Sequence, residues 1–170
     1  MEEIRGTFGR VYFITAQSAV NYVKGTFHKS PKPFAFSAIE QVLDTNELIF
    51  TSMDKKGITA ARAHLISNEE FELKQSLIKL AQKIYCDFYL NALVRVDIRA
   101  DANNNLYVLE ANPKPDLKRP TENVTSLVAL GLADQGMSYE DLILTLLGDR
   151  LDYLLRQHFG IISHIVELLD

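Results

Sequence analysis

Two short runs of alternating apolar and polar residues, Leu93 to Ala100 and Leu106 to Asn112, flank the polar cluster Asp101-Ala102-Asn103-Asn104-Asn105. No other stretch limits the fold as tightly. Side chains alternate across a strand, so each run has two unlike faces. Two such runs joined by an Asp/Asn-rich turn read as a β-hairpin. The turn has no glycine, but asparagine tolerates positive φ. If Ala102 and Asn105 close it, Asp97 faces Glu110, Arg95 faces Asn112 and Arg99 faces Val108. One face then carries Arg95, Asp97, Arg99, Val108, Glu110 and Asn112. The other carries Val94, Val96, Ile98, Tyr107, Leu109 and Ala111 and faces a core. A slip of one residue would mix the two sets, so the pattern selects this register.

The polar face poses an electrostatic problem, because opposed carboxylates on neighbouring strands repel. An arginine or a bound cation offsets that. Asp97, Glu110 and Asn112 offer hard oxygen ligands, suited to Mg²⁺ held partly by phosphate. A solvated strand face, with Arg95 and Arg99 in weak surface pairs, accounts for the same residues. The hairpin alone leaves both readings open.

The segments Arg95-Val96-Asp97 and Tyr107-Val108-Leu109-Glu110-Ala111-Asn112-Pro113 resemble the C-terminal signature of the ATP-grasp superfamily, in the form found in the D-alanine–D-alanine ligases and similar carboxylate–amine ligases. Gly136-Met137-Ser138-Tyr139, followed by Asp141-Leu142-Ile143, resembles the opening of that family's terminal helix. The resemblance covers about residues 60 to 147. It implies that Asp97, Glu110 and Asn112 bind Mg²⁺ (or Mn²⁺) coordinating ATP, and that Arg95 is the catalytic cation steadying an acyl phosphate. It implies a fold of the α+β class: a C-terminal ATP-grasp subdomain, mainly antiparallel sheet with helices packed on one face. The implied reaction joins small-molecule carboxylate and amine substrates. The chain departs from the family after Asn112, where Pro113-Lys114-Pro115-Asp116-Leu117 replaces a Pro-Gly and Ser/Thr-rich loop that contacts the second substrate. The departure bears on D-alanine specificity more than on the metal and nucleotide chemistry.

The family's hinge over adenine is a Glu-x-(aromatic or apolar)-x-x-Gly segment, similar to Glu3-Ile4-Arg5-Gly6. Glu3 is thereby a nucleotide-contacting candidate, although an acidic N-terminus is more often a solvated tail. Gly6-Thr7-Phe8-Gly9 lacks the helix start and lysine of a phosphate loop and reads as a turn. Ahead of residue 93 there is no room for both an N-terminal substrate domain and the lobe whose lysines hold ATP phosphates. Residues 1–170 therefore read as one ATP-grasp-type domain, the C-terminal portion, with 148–170 as a helical extension. A homodimer or a separate N-terminal half would complete such an enzyme. The rival expectation is a non-catalytic half-fold module that binds metal or a protein partner.

A chain of 170 residues, 47% hydrophobic, can bury a real core. Its net charge of −4 argues against nucleic acid as a partner. No apolar run approaches a membrane span. The single Cys86 excludes an internal disulfide and, lying among helical apolar residues, is expected in the core of a cytoplasmic protein. Four histidines, His28, His64, His158 and His164, show no metal-ligand spacing.

Local signals supply the other elements. Ser67-Asn68-Glu69-Glu70 has capping-box spacing, and Leu73, Leu77, Leu80, Ala81, Ile84 and Phe88 share one helical face. The helix expected over 69–90 should pack on the hairpin's apolar face. Val11 to Ile14 reads as a strand, as do Val20 to Phe27 and Glu47 to Thr51. The stretch from His28 to Pro33 reads as a loop, and Phe34 to Val42 as a short helix or an edge strand. Thr121 to Ala133 reads as a helix, and a second one capped by Ser138 runs through Leu147. The loop bearing Lys114, Lys118 and Arg119 could bind an anionic substrate group or stand solvated.

Overall fold

A computed structural model of the protein describes residues 8–17, 20–42, 58, 62–122, 125–157, 160 and 168. Glu3, the 47–51 strand, His158 and His164 lie outside the described residues. The chain runs β1 (Phe8–Gln17), β2 (Val20–Val23), β3 (Thr26–Lys29), β4 (Phe34–Ala35), β5 (Ile39–Gln41) and β6 (Ala63–Leu65). There follow α1 (Phe71–Asp87), β7 (Val94–Asp101), β8 (Leu106–Asn112), α2 (Leu127–Leu132) and α3 (Tyr139–Gln157). The main sheet has the order β6-β5-β1-β7-β8, with β4 pairing on β1 as well, and every pair is antiparallel. This is the mixed helix and antiparallel sheet that the sequence implies.

Strand alternation divides the core. Tyr12, Ile14 and Ala16 of β1 join Val94, Val96, Ile98 and Ala100 of β7 on one face, where Leu77, Ala81 and Tyr85 of α1 cover them. Val11, Phe13 and Ile39 point the other way and meet Leu127 of α2. α2 thus lies on the face opposite α1, at the β1–β5 side of the sheet, beside the polar face of β7 and β8. Helices therefore cover both faces of the sheet and not the single face expected, because β1 turns apolar side chains both ways.

Several local expectations change. The stretch from Val20 is a hairpin of β2 and β3 rather than one strand. It turns at Lys24 and Gly25, both with positive φ (50° and 82°), as a two-residue turn matching strand twist requires. His28 and Lys29 belong to β3, not to a loop. Phe34 to Val42 is strand, in two pieces. Ser67 does cap the turn that opens α1, accepting from the Glu69 amide at 3.2 Å. The α1 helix ends at Asp87, so Phe88 turns outward and Tyr85 takes the buried place. Cys86 is exposed, because it neighbours the buried Tyr85 and falls on the outer side of the helix.

α2 begins at Leu127, later than expected. α3 starts with a reciprocal cap, Asp141 N–H to Ser138 Oγ at 3.0 Å and Ser138 N–H to Asp141 Oδ2 at 2.9 Å. It runs unbroken past Leu147 to Gln157. Phe27 of β3 seats against Gly148, where an added Cβ would meet the ring at 2.4 Å. The glycine is therefore a seat for an aromatic ring within α3.

Candidate active site

The site is built on β7 and β8, and a β-bulge sets its geometry. Asn104 takes φ of 61° in the turn, and the Asp101 and Asn105 backbones close it, Asp101 N–H donating to Asn105 O at 3.1 Å. The Asp101 carboxylate holds the turn by accepting from the Asn103 and Asn105 amides at 2.8 and 2.9 Å. From this turn the register runs Ala100 opposite Leu106, Arg99 opposite Tyr107 and Ile98 opposite Val108. One extra residue on β8, Leu109, then shifts it. Beyond the shift Asp97 lies opposite Glu110, Val96 opposite Ala111 and Arg95 opposite Asn112.

The pairs Asp97–Glu110 and Arg95–Asn112 therefore stand where the alternation places them. The far half of the hairpin does not. Arg99 faces Tyr107, not Val108; Tyr107 shares the polar face, and Val108 lies on the side of Ile98. Leu109, expected in the core, is exposed at the bulge. No glycine or other special residue marks the bulge, so alternation alone did not reveal it. The clue lay in the turn: closing it at Asp101 instead of Ala102 forces one extra residue before Glu110.

The polar face has a deep end and an open one. Arg95 and Asp97 are largely buried, at 15% and 13% side-chain exposure. The Arg95 guanidinium lies over the Phe13 ring of β1 at 5.1 Å and binds Asp97 with two parallel hydrogen bonds. Burial pushes the Asp97 carboxyl above the usual carboxylate range; Arg95 opposes that shift, and the neighbouring Glu110 charge adds to it. Asn112 Oδ1 accepts from the Lys114 amide at 2.9 Å, which orients that side chain at the start of the loop.

A divalent ion suits this donor set. Arg95 leaves each Asp97 oxygen a lone pair, Glu110 is exposed, and the Asn112 carbonyl oxygen can accept twice. Arg95 is paired to Asp97, and the Glu110 charge that stands across from it is one a cation would offset. Among the described residues no group of three or more His, Cys, Asp or Glu is placed to hold a metal. Two carboxylates and an amide suit a Mg²⁺ ion that takes its remaining ligands from phosphate and water.

The neighbouring loop is tied to α3. Tyr139 donates its hydroxyl to Leu117 O at 2.7 Å, and Arg119 lies over the Tyr139 ring at 5.1 Å while bound to Glu140 at 2.5 Å. Arg119 is thus engaged by α3, and the loop's other cations are Lys114 and Lys118.

A model of the family described as D-ala D-ala ligase C-terminus matches residues 30–148. The chain belongs to this family. It is a D-Ala–D-Ala ligase C-terminal domain of the ATP-grasp superfamily. A search of curated protein sequences found no match. Solved structures share the fold at low identity. The D-Ala:D-Ser ligase VanG from Enterococcus faecalis is 14% identical with a TM-score of 0.57, over 82% of this chain and 36% of that one. The D-alanine-D-alanine ligase from Coxiella burnetii is 16% identical with a TM-score of 0.52, over 95% and 37%. The D-alanyl-alanine synthetase A from Vibrio cholerae gives 15% and 0.50, over 82% and 38%. The family domain described here spans little more than a third of the length of those ligases. No described helix is long and apolar enough to cross a membrane.

Proposed function

We propose that this chain supplies the metal- and ATP-binding half of a cytoplasmic ligase that joins a carboxylate to an amine through an acyl phosphate. The observation that carries the reading is the register of β7 on β8: Asp97 opposite Glu110 and Arg95 opposite Asn112, on one face. Asp97, Glu110 and Asn112 would hold Mg²⁺ or Mn²⁺. When bound, the metal neutralises charge on the ATP phosphates and so favours phosphoryl transfer. Arg95, held by Asp97 and stacked on Phe13, keeps its guanidinium at a fixed place beside the metal ligands. That fixed charge suits a transferring phosphoryl group and the acyl phosphate that follows, at no cost of reorganisation during reaction. Glu3 contacts the nucleotide in this reading, and Glu110 and Asn112 meet it through the metal. The whole of 1–170 acts as one ATP-grasp-type domain, with 148–170 as its C-terminal helical extension. A homodimer or a separate N-terminal half completes the substrate sites.

A second reading is a non-catalytic module of the same half-fold. The Arg95–Asp97 pair favours it, since the two charges satisfy each other within one strand without a metal. Isothermal titration of the full chain with Mg²⁺-ATP separates the two, alongside an Asp97→Asn/Glu110→Gln variant. Binding by the parent protein and its loss in the variant is the expected result. Equal heats from both proteins would remove the metal and nucleotide assignment.

A further inference from the structure

The bulge at Leu109 has a chemical consequence at the open end of the polar face. Bulges recur beside active sites because they re-aim side chains. Here the extra residue places Tyr107 on the same face as Asp97 and Glu110, directly across from Arg99. The Tyr107 hydroxyl is turned back to Asp101 Oδ2 at 3.4 Å, which ties the ring to the hairpin turn and leaves it 45% exposed. The face then reads as three successive register pairs: Arg95–Asn112, Asp97–Glu110 and Arg99–Tyr107.

Two strand residues advance about 7 Å, so Arg99 stands about that far from Asp97 along β7. This exceeds a direct metal contact but matches the reach of a polyphosphate leaving a metal bound at Asp97 and Glu110. Arg95 stands the same number of residues away on the other side. β1 runs antiparallel to β7, and Phe8 pairs with Asp101. The start of β1 therefore lies at the Arg99 end of the face, away from Arg95.

The charges agree with that order. Arg95 is paired to Asp97, and Arg99 is the second cation of a face that also carries Glu110 and Asp101; without it that face repels a polyanion more strongly. We infer that Arg99, with Tyr107 beside it, is a second anchoring pair that contacts the inner, nucleoside-side part of a Mg²⁺-nucleotide. The inference rests on the nucleotide reading above and adds the direction in which the ligand lies.

The test titrates the full chain with Mg²⁺ alone and with Mg²⁺-ATP, using the parent protein and the Arg99→Gln, Arg99→Lys and Glu110→Gln variants. Arg99→Gln should weaken Mg²⁺-ATP about tenfold, or about 1.4 kcal/mol. It should also tighten Mg²⁺ alone, because a repelling cation has gone. Loss of structure would weaken both, so the opposite signs identify a ligand contact. Arg99→Lys keeps the charge and should lose less ATP affinity than Arg99→Gln. If Arg99→Gln binds Mg²⁺-ATP as the parent does while Glu110→Gln loses it, the anchoring pair is wrong and the metal site stands. If the parent binds neither probe, both are overturned.

Discussion

The Arg95 guanidinium grips both carboxylate oxygens of Asp97, Nε to Oδ1 and Nη2 to Oδ2, each at 2.7 Å. The two residues are neighbours on one face of a single strand, so no loop movement can part them. A candidate metal ligand is thus pre-oriented by the candidate catalytic cation, and each needs the other. Asp97→Asn should weaken Mg²⁺-ATP binding at least tenfold by removing both a ligand charge and the partner of Arg95. Its effect should depend on pH. Burial raises the Asp97 pKa, so the carboxyl takes up its proton sooner on acidification than an ordinary aspartate does. A metal needs the deprotonated form, so affinity should fall as pH drops through that raised value. Titrations at stepped pH check this. An Asp97→Asn variant with parent affinity at every pH would contradict it.

Asp149 on α3 provides a separate pH signal. Burial first, and then the charge of Asp152, push its carboxyl up to about 6, with Arg150 opposing the shift. The folded state therefore holds this proton more tightly than the unfolded chain, whose aspartates titrate near about 4. Asp149 contributes its full stability below the unfolded value, and the contribution is lost as pH rises through about 6. Asp149→Asn should flatten that slope. At pH 7 to 8 it should stabilise the protein by on the order of 1 kcal/mol, after allowance for solvent screening of a half-exposed group. Urea midpoints at several pH values measure both effects; a variant with the parent's slope would refute the assignment.

The hairpin shows what pattern alone can and cannot carry. Alternation placed Arg95, Asp97, Glu110 and Asn112 on one face because their neighbours Val94, Val96 and Ile98 are apolar and belong inside. The same rule failed at Tyr107 and Leu109, since both are apolar enough for a core and no local residue announces a bulge. The helix before β7 was legible because its apolar residues recur at helical spacing. Its end was not: Phe88 fits the periodicity but falls one residue beyond Asp87, where the backbone has already turned. The β2–β3 turn was hidden for a different reason. Lys24 adopts a positive φ with no side-chain preference for it, so Lys24-Gly25 lacks the Asn-Gly signature that marks such turns. The shared face of Asp97, Glu110 and Asn112 was readable from one strand pair, whereas Phe13 under Arg95 depends on β1, some eighty residues earlier, and no local spacing links them.

Tyr89, just past the end of α1, gives a test of stored backbone cost. It has φ of 51° and is 91% exposed, while its N–H donates to Cys86 O at 3.0 Å and the Leu90 N–H to Tyr85 O at 3.0 Å. This is the left-handed position at which helices commonly end on glycine, because a Cβ there clashes with the following carbonyl. A tyrosine keeps the hydrogen bonds of the helix end but bears the steric cost, and its exposed ring gains little burial in return. Tyr89→Gly should therefore stabilise the protein by about 0.5–1 kcal/mol, since the relief exceeds the extra entropy glycine loses on folding. Tyr89→Ala keeps the Cβ clash and should gain nothing. Denaturant midpoints of the two variants decide the matter. If Tyr89→Gly is destabilised instead, the ring makes a contact that compensates for its backbone, and the exposed Phe88-Tyr89 corner would have to be covered in solution.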